Sequence, residues 1–138
     1  MSFAKTVADH DAGAFAEHLH PEAAFGAGRA VPTRGRDAVA KEWTELVAGK
    51  TTALIWYPAR VTIGGVKTIA ASSGPALFED LAPNANPHYY MSRFHSVWSQ
   101  GDDGVWRILF DDGTSASPVT DAQAAAFKSE RPTACPRA

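Results

Sequence analysis

The sequence predicts an α+β fold in which N-terminal helices cover one face of a strongly curved antiparallel sheet. Apolar residues recur at helical spacing early in the chain, over residues 3–19 and 35–47. Between residues 53 and 111, aromatic and β-branched residues form short alternating runs separated by Gly, Pro and polar turns. Helices followed by hairpin-linked strands indicate an α+β protein, because the helices must bury their apolar stripes against the sheet.

Two amphipathic helices are expected before the strands. In the first, residues 3–19, Asp11 is placed to cap a new helical turn, so the helix is expected to break near residues 9–11. Pro21 ends it and leads through a short turn to a brief strand at Phe25. The second helix follows a Gly-rich loop and reads GRDAVAKEWTEL, with the apolar residues on one stripe.

The middle of the chain contains turn signals between short strands. Gly64 and Gly65 stand between apolar runs and predict a two-residue hairpin. Gly74-Pro75 predicts a bend or bulge. Residues 79–87, EDLAPNANP, predict an irregular loop, and its position between two long strands suggests a flap over a pocket mouth.

The clearest strand signal is a long hairpin, residues 89–98 and 105–111, closed by the polar turn 100–104. In the first strand, every second residue from Tyr90 to Trp98 shares one face, and Arg93 and His95 lie on the other. Neither face of the hairpin is wholly polar, so we expect both to be covered.

Composition limits the classes of partner. The chain has 138 residues, 45% of them hydrophobic, and fits one globular domain. A net charge of −2 with scattered Lys and Arg gives no basic surface for nucleic acid, and no apolar run is long enough to cross a membrane. We expect a soluble chain, cytoplasmic as written, although a mature secreted or periplasmic chain would look the same. The lone Cys135 allows no internal disulfide, and its role stays open.

One constellation of polar residues is a candidate for chemistry. If Trp98 pairs with Trp106, four charged side chains share one face of the hairpin: Arg93, His95, Arg107 and Asp111. His95 beside an Asp would act as a general base, and Arg93 would stabilise an oxyanion. A slip of one residue would move half of the group to the opposite face. The alternative is a solvated or dimer-contact face.

Aromatic residues form the second candidate group. Several of them can line an apolar pocket for a flat ligand, with Tyr90 and Ser92 as hydrogen-bonding partners. The group consists of Trp43, Trp56, Tyr90, Phe94, Trp98 and Trp106. The alternative is that they form the core.

Metal and cofactor sites are not expected. His10, His18 and His20 lie close in sequence, but His18 and His20 are two residues apart, a spacing that points them to different sides of a helix. The glycines lack the spacing of a phosphate-binding loop.

The order of these segments resembles a known superfamily. Phe25 stands before a loop, GRDAVAKEW follows, and the strands end with FHSVW, a polar turn and GVWRILFDDG. This order resembles the SnoaL-like, ketosteroid-isomerase-like superfamily, which has the nuclear transport factor 2-like fold. The opening FAKTVADHDAGAFAEHLHPEAAF is similar to the first helices of a bacterial branch of that superfamily.

The resemblance implies a cone-shaped half-barrel over residues 1–113, with a pocket between helices and concave sheet, and a homodimer joined through sheet surface. It leaves residues 114–138 as an extension with a flexible tail and a short helix, which Thr120 and Gln123 cap. Isomerases of the superfamily have a carboxylate base in a segment that matches residues 25–28, where this chain has no Asp or Glu. Cyclases also use an acidic residue, for which Asp111 or Asp112 would be the candidates.

Three functions remain open at this stage, and with them whether the protein is an enzyme. The first is binding of an unidentified small molecule in a mostly apolar pocket, through Trp43, Trp56, Tyr90, Ser92 and Phe94. The second is a cofactor-free lyase, isomerase or cyclase for a ketone-bearing or aromatic substrate, with His95, Arg93 and Asp111 as catalytic residues. The third is a dimeric interaction module whose pocket is filled.

Overall fold

The computed structural model describes residues 2–134 and 136, and Cys135 lies outside the described residues. The helices are α1 (Ser2–Ala8), α2 (Ala12–Glu17), α3 (Arg36–Glu42), α4 (Thr44–Ala48) and α5 (Asp121–Ser129). The strands are β1 (Leu19–Phe25), β2 (Thr33–Arg34), β3 (Thr52–Trp56), β4 (Arg60–Ile63), β5 (Ile69–Asp80), β6 (Tyr89–Gln100), β7 (Trp106–Gly113) and β8 (Ser117–Val119).

The strands form one curved sheet in the order β2-β1-β7-β6-β5-β3, with β4 on β5 and β8 on β6. All pairs are antiparallel except β1 with β7, which is parallel. The α+β prediction is therefore confirmed, with one parallel pair that the sequence did not indicate. No helix of the described residues is long and apolar enough to cross a membrane.

The main core lies between the N-terminal helices and the concave face of the sheet. Aromatic rings dominate it: Phe3 stacks on Phe15 at 5.2 Å between ring centroids, and Phe15 stacks on Trp43 at 5.3 Å. Trp56 and Trp98 approach Phe3 edge-on from the sheet. Such pairs pack the helices against the strands.

Most predicted elements are present. The first helix breaks as expected, because the Asp11 side chain accepts a hydrogen bond from the Ala14 amide and starts α2. The capping box of Thr120 and Gln123 is confirmed at α5. The second helix is interrupted at Trp43, which separates α3 from α4.

Three local predictions are wrong. The Gly64-Gly65 turn is a longer loop, residues 64–68, and β5 begins only at Ile69. Gly74-Pro75 does not break β5, because Gly74 continues a regular ladder with β6. The segment after His18 is already strand β1, so the expected turn at Pro21 is absent.

Residues 114–129 pack against the cone. Strand β8 pairs with β6 near Tyr90, and α5 buries Phe127 against the convex side of the sheet, beside Leu77 and Tyr57. The convex face is thus covered at one end of β6.

Candidate active site

Strands β6 and β7 form the predicted long hairpin, but in a different register. The sequence interpretation paired Trp98 with Trp106, whereas Trp98 lies opposite Ile108. The next residue of β6, Val97, lies opposite Phe110, so β7 contains one extra residue and a β-bulge. Beyond this bulge, each β7 side chain lies on the face opposite to the one that an unbroken ladder would give it.

The bulge separates the charged residues that were expected on one face. Asp111 lies opposite Ser96, on the concave face. His95 and Arg93 occupy the convex face, where both are exposed. The predicted catalytic group of His95, Arg93 and Asp111 is therefore not assembled, and Asp111 alone faces the interior.

A cavity of about 170 Å³ remains between the helices and the concave face. Four of the five residues predicted to bind a ligand line it: Trp43, Trp56, Ser92 and Phe94. Tyr90 is not part of the described lining. Further aromatic lining comes from Phe3, Phe25 and Phe78. The cavity is thus an aromatic chamber with few polar groups, as ligand sites in proteins commonly are.

Asp111 places a carboxyl group on the wall of this chamber. The side chain is half-buried, and its Oδ1 accepts a hydrogen bond of 2.6 Å from Ser96 Oγ. Burial raises the pKa of Asp111 to about 7; the Ser96 hydrogen bond opposes this rise, and the negative charge of Asp112 adds to it. A carboxyl group with a pKa near 7 can both accept and donate a proton at neutral pH.

Two further charged residues line the cavity, Arg29 and Asp112. The Asp112 carboxylate accepts hydrogen bonds from the amides of Gly28, at 2.6 Å, and Gly113, at 2.8 Å. Arg29 Nη2 lies 2.9 Å from Glu42 Oε1. Sequence reasoning missed Arg29, because the Gly-rich loop that contains it was interpreted only as a turn.

A larger groove of about 890 Å³ lies on the concave face where β6 ends. Trp98 and Trp106 line this groove and not the cavity beside Asp111. Trp98 Nε1 donates a hydrogen bond of 2.9 Å to Ser72 Oγ, and Arg107 pairs with Asp103 at 2.8 Å. The smaller cavity is the stronger candidate for chemistry, because it contains Asp111, whose pKa is raised to about 7.

The histidines considered as metal ligands contact the backbone instead. His10 Nδ1 lies 2.9 Å from the Val47 carbonyl oxygen, and His18 Nδ1 lies 2.7 Å from that of Ala14. Within residues 2–134 and 136, no group of three or more His, Cys, Asp or Glu side chains is placed to hold a metal ion.

The loop after β5 was expected to act as a flap, and the structure does not place it over the cavity. Its residues Ala85 and His88 lie beside α5, in a separate surface hollow. Glu79 connects the two elements, since its carboxylate contacts His88 Nε2 and Lys128 Nζ, each at 3.2 Å. The loop is held against the C-terminal helix on the outside of the sheet.

Comparison with solved structures finds similar folds. A ketosteroid isomerase-like protein from Erwinia carotovora atroseptica matches 85% of this chain and 90% of its own, with a TM-score of 0.66 and 14% identity. An NTF2-like protein with a cystatin-like fold from Novosphingobium aromaticivorans matches 94% and 82%, with a TM-score of 0.62 and 19% identity. A protein provisionally named a scytalone dehydratase, also from Novosphingobium aromaticivorans, matches 86% and 80%, with a TM-score of 0.66 and 14% identity.

No protein-family profile matches the chain, and no curated protein matches it in sequence. At such low identity, the likeness establishes the fold and leaves the reaction to be argued from the site.

Proposed function

Because this chain has the nuclear transport factor 2-like fold, we propose that its cone binds a small, largely apolar molecule and that Asp111 transfers a proton to or from it. The reaction class is a cofactor-free isomerisation, elimination or cyclisation of a ketone-bearing or aromatic substrate. The names of two similar structures, a ketosteroid isomerase-like protein and a provisional scytalone dehydratase, are of the same class.

One observation carries the proposal: Asp111 lines the aromatic chamber, and burial raises the pKa of its carboxyl group to about 7. Above that pH the ionised form accepts a proton from a carbon or hydroxyl group, and the protonated form returns it. Aromatic walls exclude water and strengthen the electrostatic interactions of the carboxylate with a bound substrate. Trp43 and Phe94 would hold a flat ligand beside it.

Nitrobenzisoxazole tests this base without knowledge of the natural substrate. Removal of its ring proton breaks the N–O bond and releases a coloured cyanophenolate, so turnover reports directly on a positioned base. We expect catalysis that rises with pH to a plateau above about 7, because only the ionised carboxyl accepts the proton. Asp111→Asn should lower the rate of turnover by about a hundredfold or more. Asp102→Asn, at an exposed position, is the matched control and should keep the wild-type rate.

Equal turnover by the wild type and Asp111→Asn would contradict the catalytic part of the proposal. Binding of nitrobenzisoxazole without turnover, measured by quenching of tryptophan fluorescence, would leave a ligand-binding function in its place.

A second function, a homodimeric module, is favoured by the convex face of the sheet. Phe110 is 41% exposed there and lies opposite Val97 in the ladder. Protein interfaces are enriched in aromatic residues, so Phe110 is a candidate contact between two copies of the chain. Light scattering should give a dimer that Phe110→Glu dissociates, and a monomeric wild type would exclude this function.

A further inference from the structure

The cavity beside Asp111 has one cationic side chain among its described lining residues, that of Arg29. This arginine is about half exposed, so it lies at the mouth of the cavity and not in its depth. A ligand that occupies the cavity therefore lies beside this guanidinium group.

The loop fixes where the guanidinium lies. The Arg29 amide donates a hydrogen bond of 2.9 Å to the Gly26 carbonyl oxygen, which closes a tight turn. Gly26 has a φ of +70°, and a Cβ atom at this position would collide with the Arg29 guanidinium. The arginine side chain thus folds back over the glycine, and Arg29 lines the cavity together with Asp112.

Glu42 forms an ion pair with the guanidinium group of Arg29. Its Oε1 lies 2.9 Å from Arg29 Nη2, and hydrogen bonding from Thr33 lowers the pKa of Glu42, so this carboxylate stays ionised. A guanidinium group has five N–H donors in a planar fork, and a single contact with Glu42 leaves donors for a second anionic oxygen pair. The contact with Glu42 therefore orients the guanidinium group of Arg29 and leaves other N–H donors for a ligand.

The size of the chamber limits the rest of any ligand whose anionic group contacts Arg29. A cavity of about 170 Å³ is slightly larger than an apolar protein cavity of about 150 Å³ that accepts benzene. The apolar part of a ligand is therefore limited to one aromatic ring with a short substituent or to a compact fused pair of rings, packed between Trp43, Trp56 and Phe94.

We propose that the ligand is a small aromatic acid whose carboxylate binds Arg29 while its ring occupies the chamber next to Asp111. This inference rests on the proposed function for the identity of the site, and it adds the substrate class. Asp112 does not compete for Arg29 in this arrangement, because the amides of Gly28 and Gly113 bind its carboxylate.

Benzoate and benzamide, which have the same shape and differ in charge, test the proposal by isothermal titration calorimetry. We expect benzoate to bind about tenfold more tightly than benzamide at low salt, and Arg29→Gln to remove that difference. Arg29→Lys should restore part of it, because the charge returns without the fork. Arg34→Gln, an exposed residue of β2, is the matched control and should bind both as the wild type does.

The outcomes separate this inference from the proposed function. Equal affinity for the two compounds, or benzoate binding that Arg29→Gln leaves unchanged, would overturn the aromatic-acid inference while the base assay still reports on Asp111. Binding of neither compound would overturn it as well. Arg29-dependent benzoate binding with no Asp111-dependent turnover would instead support the inference and remove the catalytic function.

Discussion

The Ser96 hydroxyl donates a hydrogen bond of 2.6 Å to the Asp111 carboxyl across the β6–β7 pair, inside the cone. The two residues face each other because the bulge in β7 turns Asp111 to the concave side. Burial disfavours the charged carboxyl and the hydroxyl favours it, and together they hold the pKa of Asp111 at about 7. The single extra residue in β7 thus places a titratable carboxyl group inside the site.

The raised pKa of Asp111 predicts how stability changes with pH. In the unfolded chain this carboxyl titrates near 3.8 and in the folded protein near 7, so the folded state binds the proton more tightly. The contribution of Asp111 to the free energy of unfolding is therefore complete below about pH 4 and falls as the pH rises to about 7. Above that pH it stays constant, after a total loss of up to about 4 kcal/mol. Asp111→Asn stays neutral and should therefore be more stable than the wild type at pH 8 but not at pH 4.

Urea unfolding of both proteins across this pH range measures the difference, in which the other titrating groups cancel. The Asp102→Asn protein should follow the wild type at every pH, because Asp102 is exposed. A stability difference between wild type and Asp111→Asn that does not vary with pH would show that Asp111 titrates normally.

The Ser96 hydroxyl should set the pH at which the base becomes active. Its hydrogen bond lowers the pKa of Asp111, so Ser96→Ala should move the midpoint of the nitrobenzisoxazole rate profile to higher pH. Carbon-13 NMR of the Asp111 carboxyl measures the same shift without a substrate. Ser99→Ala, on the convex face of the same strand, should leave the midpoint unchanged, and a downward shift in Ser96→Ala would disprove this role.

The exposed His95 should contribute nothing to proton transfer in the cavity. It lies on the convex face of β6, on the opposite side of the sheet from Asp111, so His95→Ala should retain the wild-type rate and pH profile. The measurement is the same rate assay with nitrobenzisoxazole. A loss of more than about tenfold would restore the original assignment of His95 as the base.

How far the sequence predicts this molecule depends on the range of each interaction. Caps, periodicity and the polar turn are local, so the break at Asp11 and the long hairpin follow from the residues themselves. The register is not local, because a one-residue bulge reverses every face beyond it and leaves no clear sequence signal. The face of Asp111 could therefore not be predicted, although consecutive acids in the FDDG run indicate that one of them faces inward.

Gly74, in β5, should tolerate no side chain. A Cβ atom there would collide with the backbone carbonyl of Tyr57 and would lie 2.9 Å from the Ala59 amide nitrogen, and backbone atoms cannot rotate away. The sequence interpretation read this glycine as a bend, whereas the structure shows an uninterrupted ladder with β6 and a close approach by the segment after β3. Gly74→Ala should lower the free energy of unfolding by about 2 kcal/mol or more.

The matched control is Gly65→Ala, since nothing lies within 4 Å of a Cβ atom at that exposed loop position. Its free energy of unfolding should stay within about 0.5 kcal/mol of the wild type. Urea denaturation compares the two variants directly. Equal stability of both would mean that the segment around Tyr57 can move away from β5. The aromatic contact of Tyr57 with Phe127, at 5.0 Å between ring centroids, argues against such movement, because it ties this segment to α5.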